Sequence, residues 1–138
     1  MVNATPANLP AAIAQAKAEN KLLLMEFGSS DSCAPCMALE EKVFSRPEFK
    51  DYAATNLVFL QIDFPDRHKL PPSVEATNLL LGTQFEILPF PSFVALDRDG
   101  KEFWRFPAKD DANPKTPAGF SSPQGFIAWI EEVRLKLK

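Results

Sequence analysis

Leu22-Leu23-Leu24-Met25-Glu26-Phe27-Gly28-Ser29-Ser30-Asp31-Ser32-Cys33-Ala34-Pro35-Cys36 decides how the rest of the chain is read. From Leu22 to Phe27 it is a nearly continuous apolar run of strand length, the pattern of a strand covered on both faces in the middle of an α/β sheet. Gly28 to Ser32 is small and polar, a loop. After the cysteines, Met37, Leu39, Glu40, Glu41 and Val43 continue as a helix. Cys33 and Cys36 therefore sit where a strand hands over to a helix.

Working outward, Pro10 in a first turn, with Asn8 or Leu9 at the cap, starts an alanine-rich helix that ends near Asn20. Ser45-Arg46-Pro47-Glu48 has the form of a capping box and opens a helix to about Ala54. Leu57-Val58-Phe59-Leu60-Gln61-Ile62-Asp63 is a second buried strand, ended by Phe64-Pro65. Asp66 to Pro72 is polar and proline-punctuated, and Ser73 to Phe85 carries Val74, Thr77, Leu80, Leu81 and Gln84 at helical spacings. Ser92 to Leu96 is a third strand, and the turn signal Asp97-Arg98-Asp99-Gly100 feeds Lys101 to Phe106 as its antiparallel neighbour. Pro107 to Ser121 reads as a loop, long for a domain of this size, and so either mobile or bordering the site. Ser122-Pro123 starts the last helix, with Phe126, Ile130, Val133 and Leu137 on one face and Arg134, Lys136 and Lys138 favourable at its C-terminal end. The chain shows no internal repeat, and residues 1–138 read as one domain.

Composition narrows the function classes. A chain of 138 residues with 46% hydrophobic and 24% charged side chains can bury its own core. Its longest apolar runs fall far short of the ~20 residues that cross a bilayer. Fifteen basic residues against eighteen acidic ones give a net charge of −3, with the basic residues scattered, so nucleic acid is not an expected partner. Two cysteines and one histidine cannot close a tetrahedral Cys/His zinc site within one chain, and no metal is expected. Proline is in excess, 13 residues against 5 glycines. The opening Met1-Val2-Asn3-Ala4-Thr5-Pro6 lacks the basic, apolar and small-residue zones of a secretory signal. Either the chain is cytoplasmic, or it is a mature exported domain with a start methionine added for expression.

The order strand, Cys-x-x-Cys, helix, strand, helix, X-Pro, hairpin, helix resembles the thioredoxin-fold family from roughly Lys21 to the C-terminus. Phe27 to Cys33, Val43-Phe44-Ser45 with Pro47-Glu48-Phe49, and Val58 to Pro65 look most like the bacterial exported thioredoxin-like disulfide reductases and isomerases. The resemblance implies an α/β thioredoxin fold: a central mixed sheet of about four to five strands flanked by helices, with a C-terminal β-hairpin and helix. It implies that Cys33 attacks a substrate disulfide, Cys36 resolves the mixed disulfide, and Pro91 is a cis-proline beside them. Phe90 is then the residue whose backbone pairs with substrate, and Ala34 and Pro35 present the turn that substrate meets. Pro89 competes for the cis role, but the position just before the hairpin selects Pro91. Glu26 aligns with the buried acid that helps move the proton of the resolving cysteine. The expected partners are protein disulfides and an upstream thiol reductant, met by a monomer without cofactor beyond the cysteine pair. The expected compartment is periplasmic or otherwise exported, with cytoplasmic as the alternative.

The physics of the pair does not need the resemblance. A cysteine in the first turn of a helix faces unpaired N–H groups and the positive end of the dipole, which favour the reactive thiolate. Two intervening residues bring the second sulfur within bonding distance of the first, and Pro35 restricts that turn without removing a needed helical hydrogen bond. Ala34-Pro35 adds no histidine and no positive charge, which favours a reductant over a strong oxidant. The same spacing also fits half of an interchain metal site, a structural or sensing pair in a binding module without turnover, or two small buried apolar side chains. Glu26 could instead reach solvent at the strand end. Asp31 reads as an exposed loop aspartate, His68 as solvated, and Trp104 and Trp129 as core or surface cover. Ser32 stands where the family commonly has tryptophan, and Leu88-Pro89 where it commonly has a glycine.

Overall fold

The computed structural model describes residues 9–87 and 89–137. The Asn8 cap and the Leu88 half of the Leu88-Pro89 pair lie outside them. Every residue of β1 (Leu22–Gly28) is buried, as its unbroken apolar run requires of a strand covered on both faces. Successive side chains alternate between two cores. Leu22 and Leu24 join Phe44, Phe49, Phe59, Phe93 and Phe126, whereas Leu23, Met25 and Phe27 join Val58, Leu60, Ile62 and Val94. By this alternation Glu26 falls on the Leu22 and Leu24 face.

Around β1 the sheet has the order β2-β1-β3-β4. β2 (Leu57–Asp63) runs parallel to β1, with Leu22 opposite Leu57 and Glu26 opposite Gln61. β3 (Ser92–Leu96) is antiparallel to β1 and pairs with β4 (Glu102–Phe106) through the expected turn. That turn is closed by Asp97, whose Oδ1 accepts the N–H groups of Asp99 and Lys101, and by Gly100 at φ +80°, where glycine avoids the cost of a left-handed side chain. Five helices flank the sheet among the described residues: α1 (Leu9–Glu19), α2 (Ala34–Leu39), α3 (Pro47–Asn56), α4 (Pro72–Gln84) and α5 (Pro123–Leu135). The architecture is α/β, with a four-stranded mixed sheet and a C-terminal hairpin and helix, as the resemblance to thioredoxin-fold proteins implies.

Besides shifts of one or two residues at the ends of β1, α3, α4 and β4, the structure departs from the sequence reading at three places. The helix after the cysteines stops at Leu39 and passes into a π-helical turn, Glu40–Phe44. The Ser45 capping box does not form, because the Ser45 hydroxyl donates to the Glu41 carbonyl at 3.1 Å and Arg46 becomes the N-cap, with no side-chain cap. Leu137 lies beyond the end of α5, though it still packs on the core. Elsewhere local chemistry behaves as read: Ser122 caps α5 by accepting the Gly125 N–H at 3.0 Å, ahead of Pro123 in the first turn.

Trp104 and Trp129 are partly buried parts of an aromatic cluster. Their ring centroids lie 5.0 Å apart, and Trp129 also packs on Phe93, Phe106, Phe120 and Phe126. The long segment after β4 is irregular until a 3₁₀ turn, Ala118–Ser121, which delivers Phe120 into this cluster.

Candidate active site

β1 ends at Gly28, and a short loop brings the chain to Cys33, the N-cap of α2. The Cys36 N–H donates to Cys33 Sγ at 3.2 Å, so an otherwise unpaired first-turn donor already points at this sulfur. Cys33 and Cys36 are joined as a disulfide with a Cα–Cα distance of 5.2 Å. Ala34 and Pro35 between them are exposed, while both cysteines are largely covered.

Glu26 does not reach solvent; it is 6% exposed on the strand that leads to the cysteines. Burial pushes its carboxyl up to about 8, with the negative charges of Glu40 and Asp63 acting in the same direction and a hydrogen bond from Gln61 opposing them. Gln61, its partner across β1 and β2, donates from Nε2 to Glu26 Oε1 at 2.9 Å and to Glu40 Oε1 at 3.2 Å. Gly28 lets the site close up. A Cβ there would stand 2.8 Å from Cys36 Sγ and 4.0 Å from Glu26 Oε2, so the carboxyl and the second sulfur both lie close to the bare backbone of Gly28. Both line a cavity of about 460 Å3 with Met37, Glu40, Gln61 and Asp63.

Pro35, Phe90 and Pro91 meet on a different face of α2. The Phe90–Pro91 peptide is cis, as is Phe106–Pro107. Pro35, Phe90 and Pro91 share a groove of about 670 Å3 with Leu39, Lys42 and the segment Pro114 to Ser121. The long loop is therefore the far wall of this groove, one of the two roles its sequence left open. Phe90 is 38% exposed and stacks on Phe64, with centroids 5.4 Å apart and planes 17° apart. Ala34 lines neither the groove nor the cavity.

Asp31 is not a free loop aspartate, and it does not cap α2. Oδ1 accepts the Asp66 N–H at 2.8 Å and the Ser29 hydroxyl at 3.2 Å; Oδ2 accepts the Arg67 N–H at 2.8 Å and lies 3.1 Å from His68 Nδ1. These donors, led by the Asp66 N–H, pull its carboxyl down to about 2. His68 is exposed, as read, and also pairs with Asp31. Next to Asp31, Ser30 binds Asp63 through its N–H at 2.8 Å and its hydroxyl at 2.7 Å. The sequence reading missed Gln61, Glu40 and Gly28. Gln61 had a visible signal, since it interrupts the second apolar strand as Glu26 interrupts the first.

A family model for the thioredoxin-like domain matches residues 9–112. Over 127 residues the chain is 28% identical to the disulfide bond reductase DsbH of Chlamydia pneumoniae, which covers 92% of this chain and 69% of that protein. It is 31% identical over 90 residues to the thiol:disulfide interchange protein DsbD of Pseudoalteromonas atlantica, covering 65% of this chain and 14% of that protein. Among solved structures, the DsbH oxidoreductase superposes with a TM-score of 0.67 at 24% identity, over 91% of this chain and 78% of that one, a likeness of fold.

Proposed function

The chain belongs to the thioredoxin-like domain family, and on that premise we propose that it is a thiol-disulfide oxidoreductase that reduces disulfides in protein substrates. The observation that carries this reading is the Cys33–Cys36 disulfide at the N-terminus of α2, with the Cys36 N–H directed at Cys33 Sγ. The similarity to a disulfide bond reductase over 92% of the chain supports the same direction of reaction.

In the reduced protein the Cys33 thiolate attacks one sulfur of a substrate disulfide; a mixed disulfide forms and the substrate's other sulfur leaves as a thiolate. Cys36 then gives up its proton and attacks Cys33 Sγ. The mixed disulfide breaks, the second substrate thiol departs, and the Cys33–Cys36 bond closes. Two electrons have passed to the substrate, and an upstream thiol reductant restores the pair. Glu26 is the acceptor for the Cys36 proton: both line one cavity beside Gly28, and a value of about 8 suits a base working near neutrality. The substrate chain lies along the Pro35, Phe90 and Pro91 groove, whose lining has a single charged residue, Lys42. Every group in this scheme comes from one chain, so a monomer suffices and no further cofactor is needed. The setting that fits is an exported, periplasmic one, where protein disulfides are the available substrates.

The test is dithiothreitol-driven reduction of insulin by wild type and by Cys33→Ala. Wild type accelerates reduction and the variant does not; equal rates would end the enzymatic reading. Ala34 and Pro35 supply no charge to hold the Cys33 thiolate, so the pair equilibrates with glutathione near thioredoxin's ~−270 mV rather than near ~−120 mV.

A further inference from the structure

Residues 64–68, between β2 and α4, touch both arms of the site. Toward the cysteine arm, the Phe64 N–H donates to the Gly28 carbonyl at 2.9 Å, and the N–H groups of Asp66 and Arg67 converge on Asp31. Toward the proline arm, the Phe64 ring lies flat against Phe90, the residue before Pro91. The turn is itself anchored, because Asn78 of α4 donates to the Asp63 carbonyl at 2.9 Å and Asp63 grips Ser30.

Asp31 is where this brace closes. A carboxylate offers about four acceptor sites, and here four donor groups from Ser29, Asp66, Arg67 and His68 occupy them, two on each oxygen. Hydrogen bonds to an ionised acceptor are roughly twice as strong as neutral ones. An amide of the same size cannot replace it, since its NH₂ would face at least one N–H donor.

We propose that Asp31 is a positioning residue for disulfide exchange: it locks the loop that carries Cys33 to the turn that carries Phe64 against Phe90. The inference rests on the oxidoreductase reading above. A protein substrate must contact both arms while its sulfur lines up with Cys33, and small misplacements of reacting groups are costly in rate. A small disulfide needs only the sulfur. Asp31 therefore acts on the reaction of the larger substrate through the relative placement of the two arms.

The experiment compares wild type, Asp31→Asn, Asp31→Ala, Phe64→Leu and Asp31→Asn/Phe64→Leu. Each is assayed for kcat/KM with insulin and with hydroxyethyl disulfide, and each melting temperature is recorded. Both Asp31 variants are expected to lower kcat/KM for insulin by about tenfold or more, and to lower the insulin to hydroxyethyl disulfide ratio at least about fivefold. The double variant should be no worse than the poorer single one, because both changes break the same brace. Equal losses on the two disulfides, an Asp31→Asn variant that matches wild type, or losses that multiply would each overturn the proposal. A wild type inert toward both disulfides would instead defeat the oxidoreductase reading and this inference with it.

Discussion

The two faces of α2 and the π-helical turn that continues it differ in chemistry as much as two neighbouring surfaces can. Cys36, Met37, Glu40 and Glu41 border a cavity with four carboxyl groups, those of Glu26, Glu40, Glu41 and Asp63. Pro35, Ala38, Leu39 and Lys42 border a groove with six prolines and one charge. Helical periodicity separates the two sets cleanly, since residues three and four apart share a face. Under the proposed mechanism, this short helical segment would keep proton handling beside the second sulfur and substrate contact beside Pro91. Changes on the carboxyl side should alter the pH dependence and the redox balance, whereas changes on the proline side should alter KM.

The largest effect expected under that division comes from Glu26→Gln. Removing a general base typically costs about 10²-fold or more, so release of substrate from the mixed disulfide should slow by that order, with KM for insulin little changed. The inflection near pH 8 in the wild-type rate should vanish from the variant's profile. If the inflection survives, Glu26 is not the base. The same substitution has a stability signature. The folded carboxyl holds its proton up to about pH 8, whereas an unfolded one releases it near ~4.3. Wild-type stability from this group is therefore full at low pH and declines as pH rises through that window. Glutamine has no proton to lose, so urea midpoints should favour the variant increasingly from pH 5 to pH 8.5, by a few kcal/mol at most.

Gly28→Ala tests the close approach on the same side. The added methyl would press on Cys36 Sγ, and overpacking of this kind costs about 1–3 kcal/mol. The oxidised form, with its sulfur tethered, suffers more than the reduced form, whose Sγ can rotate away. The couple should move toward a stronger oxidant by about 20–60 mV in a glutathione titration. An unchanged or more negative potential would show that the sulfur has room that the geometry denies.

The smallest effect belongs to the proline side. Lys42→Ala should raise KM for insulin a few-fold while leaving kcat and the pH profile in place, because an exposed charge is worth about 0–1 kcal/mol. A shift in the pH profile instead would mean that the two faces are not separate.

Most of the fold was legible because its strands are written as long apolar runs. β1 and β2 carry their boundaries in composition, and the hairpin carries its own in Asp97 to Gly100. The cysteine pair was legible because its position, between a strand and a helix, is a local property. The Ser45 box failed for a local reason of a different kind: the π-turn at Glu40–Phe44 offered its hydroxyl a nearer carbonyl. Asp31 was illegible because two of its donors are backbone N–H groups 35 and 36 positions away, and backbone donors leave no mark in a sequence. Pro107, Pro114 and Pro117 were legible as loop residues and as candidates to border the site, but which side they would close needs the opposing helix in place.

The aromatic cluster gives the molecule a built-in optical reporter. With Ser32 in place of an indole beside the cysteines, both tryptophans sit behind the groove, where Trp129 touches Phe106 and Phe120 and those two rings form part of the groove lining. Intrinsic emission should therefore register a polypeptide settling against Phe106 and Phe120, and stay nearly blind to whether the sulfurs are joined.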